Sequence, residues 1–293
     1  AREWFAKYEP TLSEKHAKKL RRYLENTIFP VIGGKPVTQL EPANFLQLVQ
    51  PSERLGHHET AHKLMRLCGQ VTRYARITGR VKYDVAAGLT EALTPVQTTH
   101  FAAVTLPDDI GQLLRDIDAY VGYTSVVYCL KILPYVFTRP SELRLAHWSE
   151  LDCKNAIWII PASRMKMRRE HVVPLSKQVL ALLKELHAYT GNGELLFPSA
   201  RALTTPISDA APLAALRRMG YGKETMTLHG FRAMASTRLN ELGFRADVIE
   251  AQLAHKEPDT VRLAYNRAEY MEERRQLMQK WANYLDELRA SKR

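Results

Sequence analysis

One pair of short apolar runs constrains the fold most, because the other apolar residues of the chain recur mainly at helical spacing. The runs "NAIWIIP" (residues 155–161) and "EHVVPL" (residues 170–175) are rich in β-branched residues, which favour strands. The charged stretch "ASRMKMRR" between them is typical of a hairpin loop. The pattern therefore predicts a mainly α-helical protein with one small β-sheet.

The first third of the chain has the pattern of amphipathic helices. Its longest predicted helix is "HETAHKLMRLCGQVTRYARITGR" (residues 58–80), where Gly79 is a suitable C-terminal stop. The predicted buried stripe of that helix consists of Ala61, Leu64, Met65, Cys68, Val71, Ala75 and Ile77. An earlier helix within residues 11–33 has an apolar face formed by Leu12, Leu20, Leu24 and Ile28.

The helical pattern stops near Pro95, where "LTPVQTTHFAAVTLPDD" contains Thr and Pro without periodicity and is typical of a linker. A chain of 293 residues is long enough for two cores, since single domains commonly have about 100 to 200 residues. We predict a helical domain over residues 1–95, a linker over 96–105 and a second domain over 106–293. The second domain holds the hairpin among several helices, the last of them from about residue 268 to 288.

The charge of the chain indicates a polyanionic partner. Lys and Arg outnumber Asp and Glu by 42 to 31, which gives a net charge of +11 and a pI near 9.5. Nucleic acid is the leading candidate for the partner, and an anionic membrane is the second. No apolar run approaches the roughly 18 residues of a membrane-spanning helix, so we exclude the membrane.

The best candidates for phosphate contacts are basic residues outside the apolar stripes. Residues 1–95 contain 15 basic and 9 acidic residues, so they carry more than half of the excess charge. The predicted DNA-binding residues are Lys15, Lys18, Lys19, Arg66, Arg73, Arg76, Arg164 and Arg168. The alternative interpretation is an ordinary solvated helical face.

The cysteines and the start of the chain bear on its surroundings. Cys68, Cys129 and Cys153 are odd in number, far apart and set among apolar neighbours, so we interpret them as reduced core thiols of a cytosolic protein without a metal or redox role. The chain begins at Ala1 without Met or a signal-like segment, and we therefore expect a further segment upstream.

Polar residues capable of phosphate chemistry cluster late in the chain. In "TLHGFRAMASTRLNELG", Thr227 is suited to cap a helix, which places His229 and Arg232 on one face of its first turn. Two cationic donors at a helix N-terminus suit a phosphate, although a chance pair on a surface helix is the alternative. His255 follows at the end of the next helix and Tyr265 comes ten residues later; a tyrosine packed in the core is the alternative for Tyr265, and the expected fate of Tyr270.

A second group of candidates precedes them. In "FTRPSELR", Arg139 stands before a Pro suited to the first helical position, and Glu142 is spaced to reach back to the guanidinium or to cap the turn. Lys166 lies in the predicted hairpin loop, where a flexible ammonium can reach an oxygen of a bound partner. An ordinary capping or surface role remains open for Arg139. For Lys166 the alternative is simple attraction to backbone phosphates, shared with Arg164, Arg168 and Arg169.

Together, the motifs "TRPSELR", the lysine hairpin ending in "HVVPLS", "LHGFR", "LAHK" and "AYNRAEY" resemble the catalytic site of the tyrosine recombinases, the phage-integrase family. The resemblance spans nearly all of residues 105–293, and the sequence around the lysine hairpin and after "LAHK" is most similar to integrases of prophages and genomic islands. It implies a helical core-binding domain and an α+β catalytic domain that clamp the DNA duplex between them. The segment missing in front would be this subgroup's small arm-site-binding domain.

The resemblance also implies the chemistry of the site. Tyr265 would attack a DNA phosphate and form a 3'-phosphotyrosine, with Arg139 and Arg232 on the non-bridging oxygens and Glu142 orienting the arginine. His229 would accept a proton or donate to the phosphate, His255 would donate as well, and Lys166 would protonate the leaving 5'-oxygen. The arginines supply the charge that a metal supplies elsewhere, and no carboxylate cluster is available for Mg²⁺, so we expect neither a metal nor a nucleotide cofactor.

The implied partners are the core of a double-stranded attachment site, three further copies of the chain in a tetramer, and accessory DNA-bending or excision factors, in the nucleoid of a bacterial cytoplasm. Two other functions stay open: a type IB topoisomerase and a DNA-binding regulator with a silent site. The apolar stripe of the final helix, Met271, Leu277, Met278, Trp281, Leu285 and Leu288, is either core or a surface that docks on a neighbouring subunit. The family's tetramer favours docking.

Overall fold

The computed structural model describes residues 1–97, 101–165, 168–255 and 270–291. The chain divides into two compact units, Ala1–Thr99 and His100–Arg293. Each unit has its own hydrophobic core, and we refer to them as the N-terminal unit and the C-terminal unit.

The N-terminal unit is helical throughout its regular structure. Its helices are α1 (Arg2–Tyr8), α2 (Glu14–Tyr23), α3 (Phe29–Ile32), α4 (Pro42–Arg54) and α5 (His58–Ile77), and a π-helical turn (Leu24–Ile28) joins α2 to α3. Helix α4 packs against α5, with Phe45 and Val49 of α4 in the same core as Leu64 and Met65 of α5. Of the apolar face predicted for residues 11–33, Leu24 and Ile28 are buried in this core and Leu20 packs against it, whereas Leu12 precedes α2 and lies outside it.

The buried stripe of α5 agrees with the sequence except at its end. Ala61, Leu64, Met65, Cys68 and Ala75 are buried and Val71 is partly buried, but Ile77 is 71% exposed. The prediction for Ile77 is wrong because this last residue of α5 lies about 200° around the helix from Ala75. Thr72 faces inward instead, and its hydroxyl donates to Asp84 Oδ1 at 2.6 Å.

The C-terminal unit packs helices around one small sheet. Its helices are α6 (Pro107–Ala119), α7 (Thr124–Val136), α8 (Pro140–Arg144), α9 (Lys177–Thr190), α10 (Ala210–Arg218), α11 (Gly230–Glu241), α12 (Ala246–Gln252) and α13 (Met271–Ala290). Its strands are β1 (Leu151–Asp152), β2 (Ile157–Ile160) and β3 (His171–Pro174), in the antiparallel order β1-β2-β3. The predicted mainly α fold with a small sheet is confirmed.

The hairpin places its inward residues in the core. In the register of β2 and β3, Trp158 lies opposite Val173 and Ile160 opposite His171, and all four side chains are buried. The loop from Pro161 to Glu170 joins the two strands. Strand β1 was not predicted, because two residues are too few for an alternating pattern.

The apolar stripe of α13 lies in the core of its own unit. Leu277, Met278, Trp281 and Leu285 are buried, and the indole nitrogen of Trp281 donates to the Pro134 carbonyl at 2.9 Å. The helix packs against α6, α7 and β3. The interpretation favoured from the family, docking of this stripe on a neighbouring subunit, is therefore replaced by core packing within the chain.

The far end of α13 is fixed on α6. A Cβ at Gly111 would collide with the Leu288 carbonyl, so the glycine permits the two helices to approach closely. Arg115 Nη1 donates to the carbonyls of Leu288, Arg289 and Ser291 at 3.3, 3.3 and 2.8 Å. These bonds satisfy carbonyls that the end of a helix leaves without partners.

The cysteines differ in their environments. Cys68 and Cys129 are buried, and burial raises the pKa of both thiols to about 12. Cys153 is exposed, so its prediction as a core thiol is wrong. It lies in the turn between β1 and β2, outside the strands whose side chains pack on the core. Among the helices described, none is both long and apolar enough to cross a membrane.

Candidate active site

Arg139 is fixed by the turn between α7 and α8. Phe137 ends α7 in the left-handed region with φ 35°, an uncommon conformation for a bulky residue, and Arg139 follows in an extended conformation. The Glu142 carboxylate accepts from the Arg139 backbone nitrogen and from its Nη1, both at 2.8 Å. Both contacts that the spacing of Arg139 and Glu142 predicted are therefore present.

His229 and Arg232 lie at the start of α11. The helix begins at Gly230, so His229 is its N-cap residue, and the Thr227 hydroxyl accepts from the Gly230 nitrogen at 2.9 Å. The His229 ring lies 4.8 Å from the Phe101 ring, centroid to centroid. Partial desolvation, followed by the charges of Arg232 and Arg139, lowers the pKa of His229, which favours its neutral form.

The segment after α12 holds both arginines on adjacent carbonyls. Arg232 Nη2 donates to the Leu253 carbonyl at 2.7 Å, and Arg139 Nη2 donates to the Ala254 carbonyl at 3.3 Å. Arg232 Nη1 also donates to the Phe137 carbonyl at 3.0 Å. Ala254 has φ 50°, a conformation that the surrounding structure must hold in place.

His255 lies beside Arg232. Its Nε2 is 3.1 Å from Arg232 Nη2, and its Nδ1 is 2.6 Å from Glu250 Oε2. Because a guanidinium only donates, Nε2 is the acceptor and the ring proton is assigned to Nδ1, facing the carboxylate. No sequence signal singled out Glu250, which lies on the exposed side of α12.

The site has an excess of positive charge. Burial, followed by the charge of Arg139, lowers the pKa of Arg232 to about 10, so the guanidinium stays charged at neutral pH. Glu142 is the carboxylate paired with Arg139, and it is only 3% exposed. In its buried part, two guanidinium groups and the Glu142 carboxylate leave a net positive charge that suits an anion such as a phosphate diester, while the Glu250 carboxylate beside His255 is exposed.

Two predicted residues, Lys166 and Tyr265, lie outside the described residues. Tyr270, the other tyrosine of "AYNRAEY", is partly buried against the hydrophobic core, as expected. The Arg245 guanidinium lies 5.3 Å from the centroid of its ring.

The predicted DNA-binding residues are all exposed except Arg164. The basic side chains of the N-terminal unit are exposed, three on α2 and three on α5: Lys15, Lys18, Lys19, Arg66, Arg73 and Arg76. Arg168 is exposed as well, with φ 51°. Arg164 is only 15% exposed and pairs with Glu150, while its Nη1 donates to the Glu142 carbonyl at 2.9 Å. This arrangement suits support of the Glu142 backbone rather than a DNA contact.

A buried polar cluster lies behind the site, and we call His171, Gln252 and Arg274 the clasp. Arg274 Nε and Nη2 donate to Gln252 Oε1 at 2.9 and 2.7 Å, and Nη2 donates to the Val172 carbonyl at 2.5 Å. His171 Nε2 donates to the Gln252 carbonyl at 3.1 Å. Burial, followed by the charge of Arg274, lowers the pKa of His171 to about 3. No local sequence pattern predicts the clasp, since its members are far apart in the chain.

Among the described residues, no group of three or more His, Cys, Asp or Glu side chains is placed to hold a metal ion.

Known proteins similar to this chain identify its family. The pattern of the phage integrase central domain matches residues 1–92, and that of the phage integrase family matches residues 104–272. The integrase of Enterobacteria phage P4 is 37% identical over 98% of this chain and 68% of its own length. The prophage integrase IntA of Escherichia coli K12 is 36% identical over 97% of this chain and 68% of its own length.

Solved structures show the same fold at low identity. A lambda integrase (75–356) dimer bound to a COC' core site superposes with a TM-score of 0.67 at 16% identity, over 87% of this chain and 95% of that one. A lambda integrase tetramer bound to a Holliday junction superposes with a TM-score of 0.65 at 14% identity, over 88% and 78%. With its two family patterns and its relatives, this chain belongs to the phage integrase family and is a site-specific tyrosine recombinase.

Proposed function

We propose that this recombinase cuts and rejoins duplex DNA at an attachment site through a 3'-phosphotyrosine on Tyr265, and that it integrates or excises a mobile element. The observation that carries the proposal is the pair of guanidinium groups of Arg139 and Arg232, which are held on adjacent carbonyls. One buried carboxylate, that of Glu142, pairs with Arg139. A scissile phosphate is the anion that this pair suits.

The arginines bind the phosphate. Each guanidinium presents a planar fork to the non-bridging oxygens, and its charge stabilises the negative charge that grows on the phosphorus oxygens in the transition state. Glu142 orients Arg139 through two hydrogen bonds. His255 would be a further donor to the same phosphate, which requires that its Nε2 leave Arg232 and carry a proton.

Two proton transfers accompany the displacement. The bond from the Tyr265 oxygen to phosphorus forms while the bond from phosphorus to the 5'-oxygen breaks. A phenol has an unperturbed pKa of about 10, so it needs a base, and the lowered pKa of His229 leaves that ring neutral and able to accept the proton. Lys166 supplies a proton to the leaving 5'-oxygen. The reverse sequence, with a 5'-hydroxyl as nucleophile, rejoins the strand.

The exposed basic residues and a related structure support the proposed DNA contacts and assembly. The exposed basic side chains of α2 and α5 support a role for residues 1–95 as a DNA-binding domain and for residues 106–293 as the catalytic domain. The lambda integrase solved as a tetramer on a Holliday junction supports a tetramer here. We further propose that accessory DNA-bending or excision factors take part, in the nucleoid of a bacterial cytoplasm.

The test is a covalent complex with a nicked suicide substrate, resolved on a denaturing gel. The wild type should form the complex, and Tyr265→Phe should form none while its DNA affinity stays within about 2-fold, because only the nucleophilic oxygen is lost. Tyr270→Phe is the matched control and should behave as wild type. A complex that persists in Tyr265→Phe contradicts the assignment, and a wild type that binds without any complex indicates a regulator.

A two-site plasmid separates recombination from topoisomerase activity. A recombinase exchanges the partners of two attachment sites, whereas a type IB topoisomerase relaxes supercoils and returns each strand to its own partner. Relaxation without exchange by the wild type would overturn the proposed recombination.

A further inference from the structure

Arg274 is a buried cation without a counter-ion among the described residues. Its side chain is 7% exposed, and its partners are two neutral oxygens, the Gln252 amide and the Val172 carbonyl. Burial lowers its pKa to about 10, so the group is charged at neutral pH. A buried charge without an opposite charge costs free energy that an apolar side chain of similar size would not. Stability alone therefore does not account for an arginine at this position.

The clasp joins two segments that the proposed chemistry uses. Gln252 is the last residue of α12, and Arg274 lies in the first turn of α13. Their contact holds the end of α12, which immediately precedes the Leu253 and Ala254 carbonyls, on the start of α13. His171 holds the same Gln252 through its backbone carbonyl, so both the backbone and the side chain of Gln252 are tied to β3 and α13.

Gln252 immediately precedes the two carbonyls that hold the catalytic arginines. Any shift of Gln252 moves the Leu253 carbonyl, which accepts from Arg232, and the Ala254 carbonyl, which accepts from Arg139. Ala254 is in the left-handed region and needs external support to remain there. Displacements of about 1 Å at a reacting phosphate are enough to lower rates by large factors.

From these contacts we propose that Arg274 is a positioning residue of the strand-transfer site. By holding Gln252, it fixes the carbonyls that orient Arg139 and Arg232. This inference rests on the proposed function, since it assigns a role within that site. Arg274 does not touch the phosphate and acts through the two arginines.

The first test compares Arg274→Met with Arg275→Met. Arg275 is the next residue on α13 and donates to the Asn155 carbonyl at 3.0 Å, outside the clasp. In the full chain with nicked DNA, Arg274→Met should lower the single-turnover rate of covalent-complex formation by about 10-fold or more, with DNA affinity within about 2-fold. Arg275→Met should leave both within about 2-fold. Equal rates for the two variants would overturn the proposal.

The second test distinguishes positioning from a general loss of structure. In a chain that carries Arg232→Lys, adding Arg274→Met should lower the rate by a smaller factor than it does in the wild type, because one of the two interactions through which Arg274 acts is already impaired. The same fold-loss in both backgrounds would mean that Arg274 does not act through Arg232. Gln252→Leu should reproduce the loss, whereas Gln252→Glu keeps the acceptor oxygen for the guanidinium, adds a second one and should retain the rate within about 3-fold.

A third measurement does not depend on catalysis. In the free protein, amide hydrogen exchange of residues 246–255 should be about 10-fold faster in Arg274→Met than in Arg275→Met, because the clasp no longer holds that segment. Unchanged exchange would show that Arg274 does not hold this segment and would overturn the proposal. If Arg274→Met and Gln252→Leu both lose the whole fold, the role of Arg274 is structural and the proposal is overturned. A wild type that forms no covalent complex overturns the proposed function, while the exchange result still tests the clasp.

Discussion

His171 should make the C-terminal unit sensitive to mild acid. The imidazole is buried, and Arg274, Arg232 and Arg139 all disfavour its protonation, so its pKa falls from the ordinary 6.5 to about 3. In the unfolded chain His171 binds a proton below about pH 6.5, whereas the folded chain binds it only near pH 3. The unfolded state therefore binds more protons between these values, and stability is lost as the pH falls through this window.

The magnitude follows from the width of the window. Each pH unit well below the unfolded pKa costs about 1.4 kcal/mol, so lowering the pH from 7.5 to 4.5 removes about 2.7 kcal/mol through His171 alone. His171→Gln keeps a nitrogen donor for the Gln252 carbonyl but does not titrate, and it should lack this loss. With a urea dependence of about 2 kcal/mol per molar, the wild-type midpoint should fall about 1.3 M further than that of the variant.

The assay is urea unfolding at both pH values, followed by tryptophan fluorescence. Three of the four tryptophans, Trp148, Trp158 and Trp281, lie in the C-terminal unit, so the signal reports mainly on it. Other groups, including His229 with its lowered pKa, titrate in both proteins and cancel in the difference. Equal shifts of the two midpoints would refute the account, because His171 would then be free to accept a proton in the folded state.

Three further predictions concern catalysis and DNA binding. Arg139→Lys and Arg232→Lys should each lower single-turnover cleavage by about 100-fold or more, because an ammonium keeps the charge but lacks the planar fork; near-normal rates in both would argue against their place on the phosphate. Cleavage should persist in EDTA and without ATP, and a loss that Mg²⁺ restores would contradict the mechanism. Isolated residues 1–95, with 15 basic and 9 acidic residues, should bind duplex DNA weakly and with steep salt dependence. If this fragment does not bind DNA even at low salt, its basic residues form only a solvated helical face.

The parts of the site that could be predicted are local in sequence. The contacts between Arg139 and Glu142, and the bond from the Gly230 nitrogen to the Thr227 hydroxyl in the turn before α11, each span three residues, so spacing along the chain is enough to predict them. The β2–β3 hairpin is local too, since its strands are separated by a single loop. The remaining site residues were identified through the resemblance to the family's motifs, which occur in the same order along this chain.

The parts that could not be predicted depend on contacts between distant segments. The bond from Arg139 to the Ala254 carbonyl spans 115 residues, and that from Arg232 to the Phe137 carbonyl spans 95. The acceptors are backbone oxygens, which every residue has, so no residue type marks them. Phe137 also adopts a left-handed conformation that its side chain disfavours, and only the assembled core stabilises it there.

The attachment of α13 to α6 has a consequence for the synthesis of the protein. Arg115 binds carbonyls 173 to 176 residues later in the chain, and Trp281 fills the core beneath α7. On the ribosome, the early helices of the C-terminal unit emerge long before the partner that completes their core, so this unit cannot finish folding while the chain is still being extended through α12. A nascent chain at that stage also lacks Arg274. Translation thus delays the assembly of a DNA-cutting site until the last helix has been made.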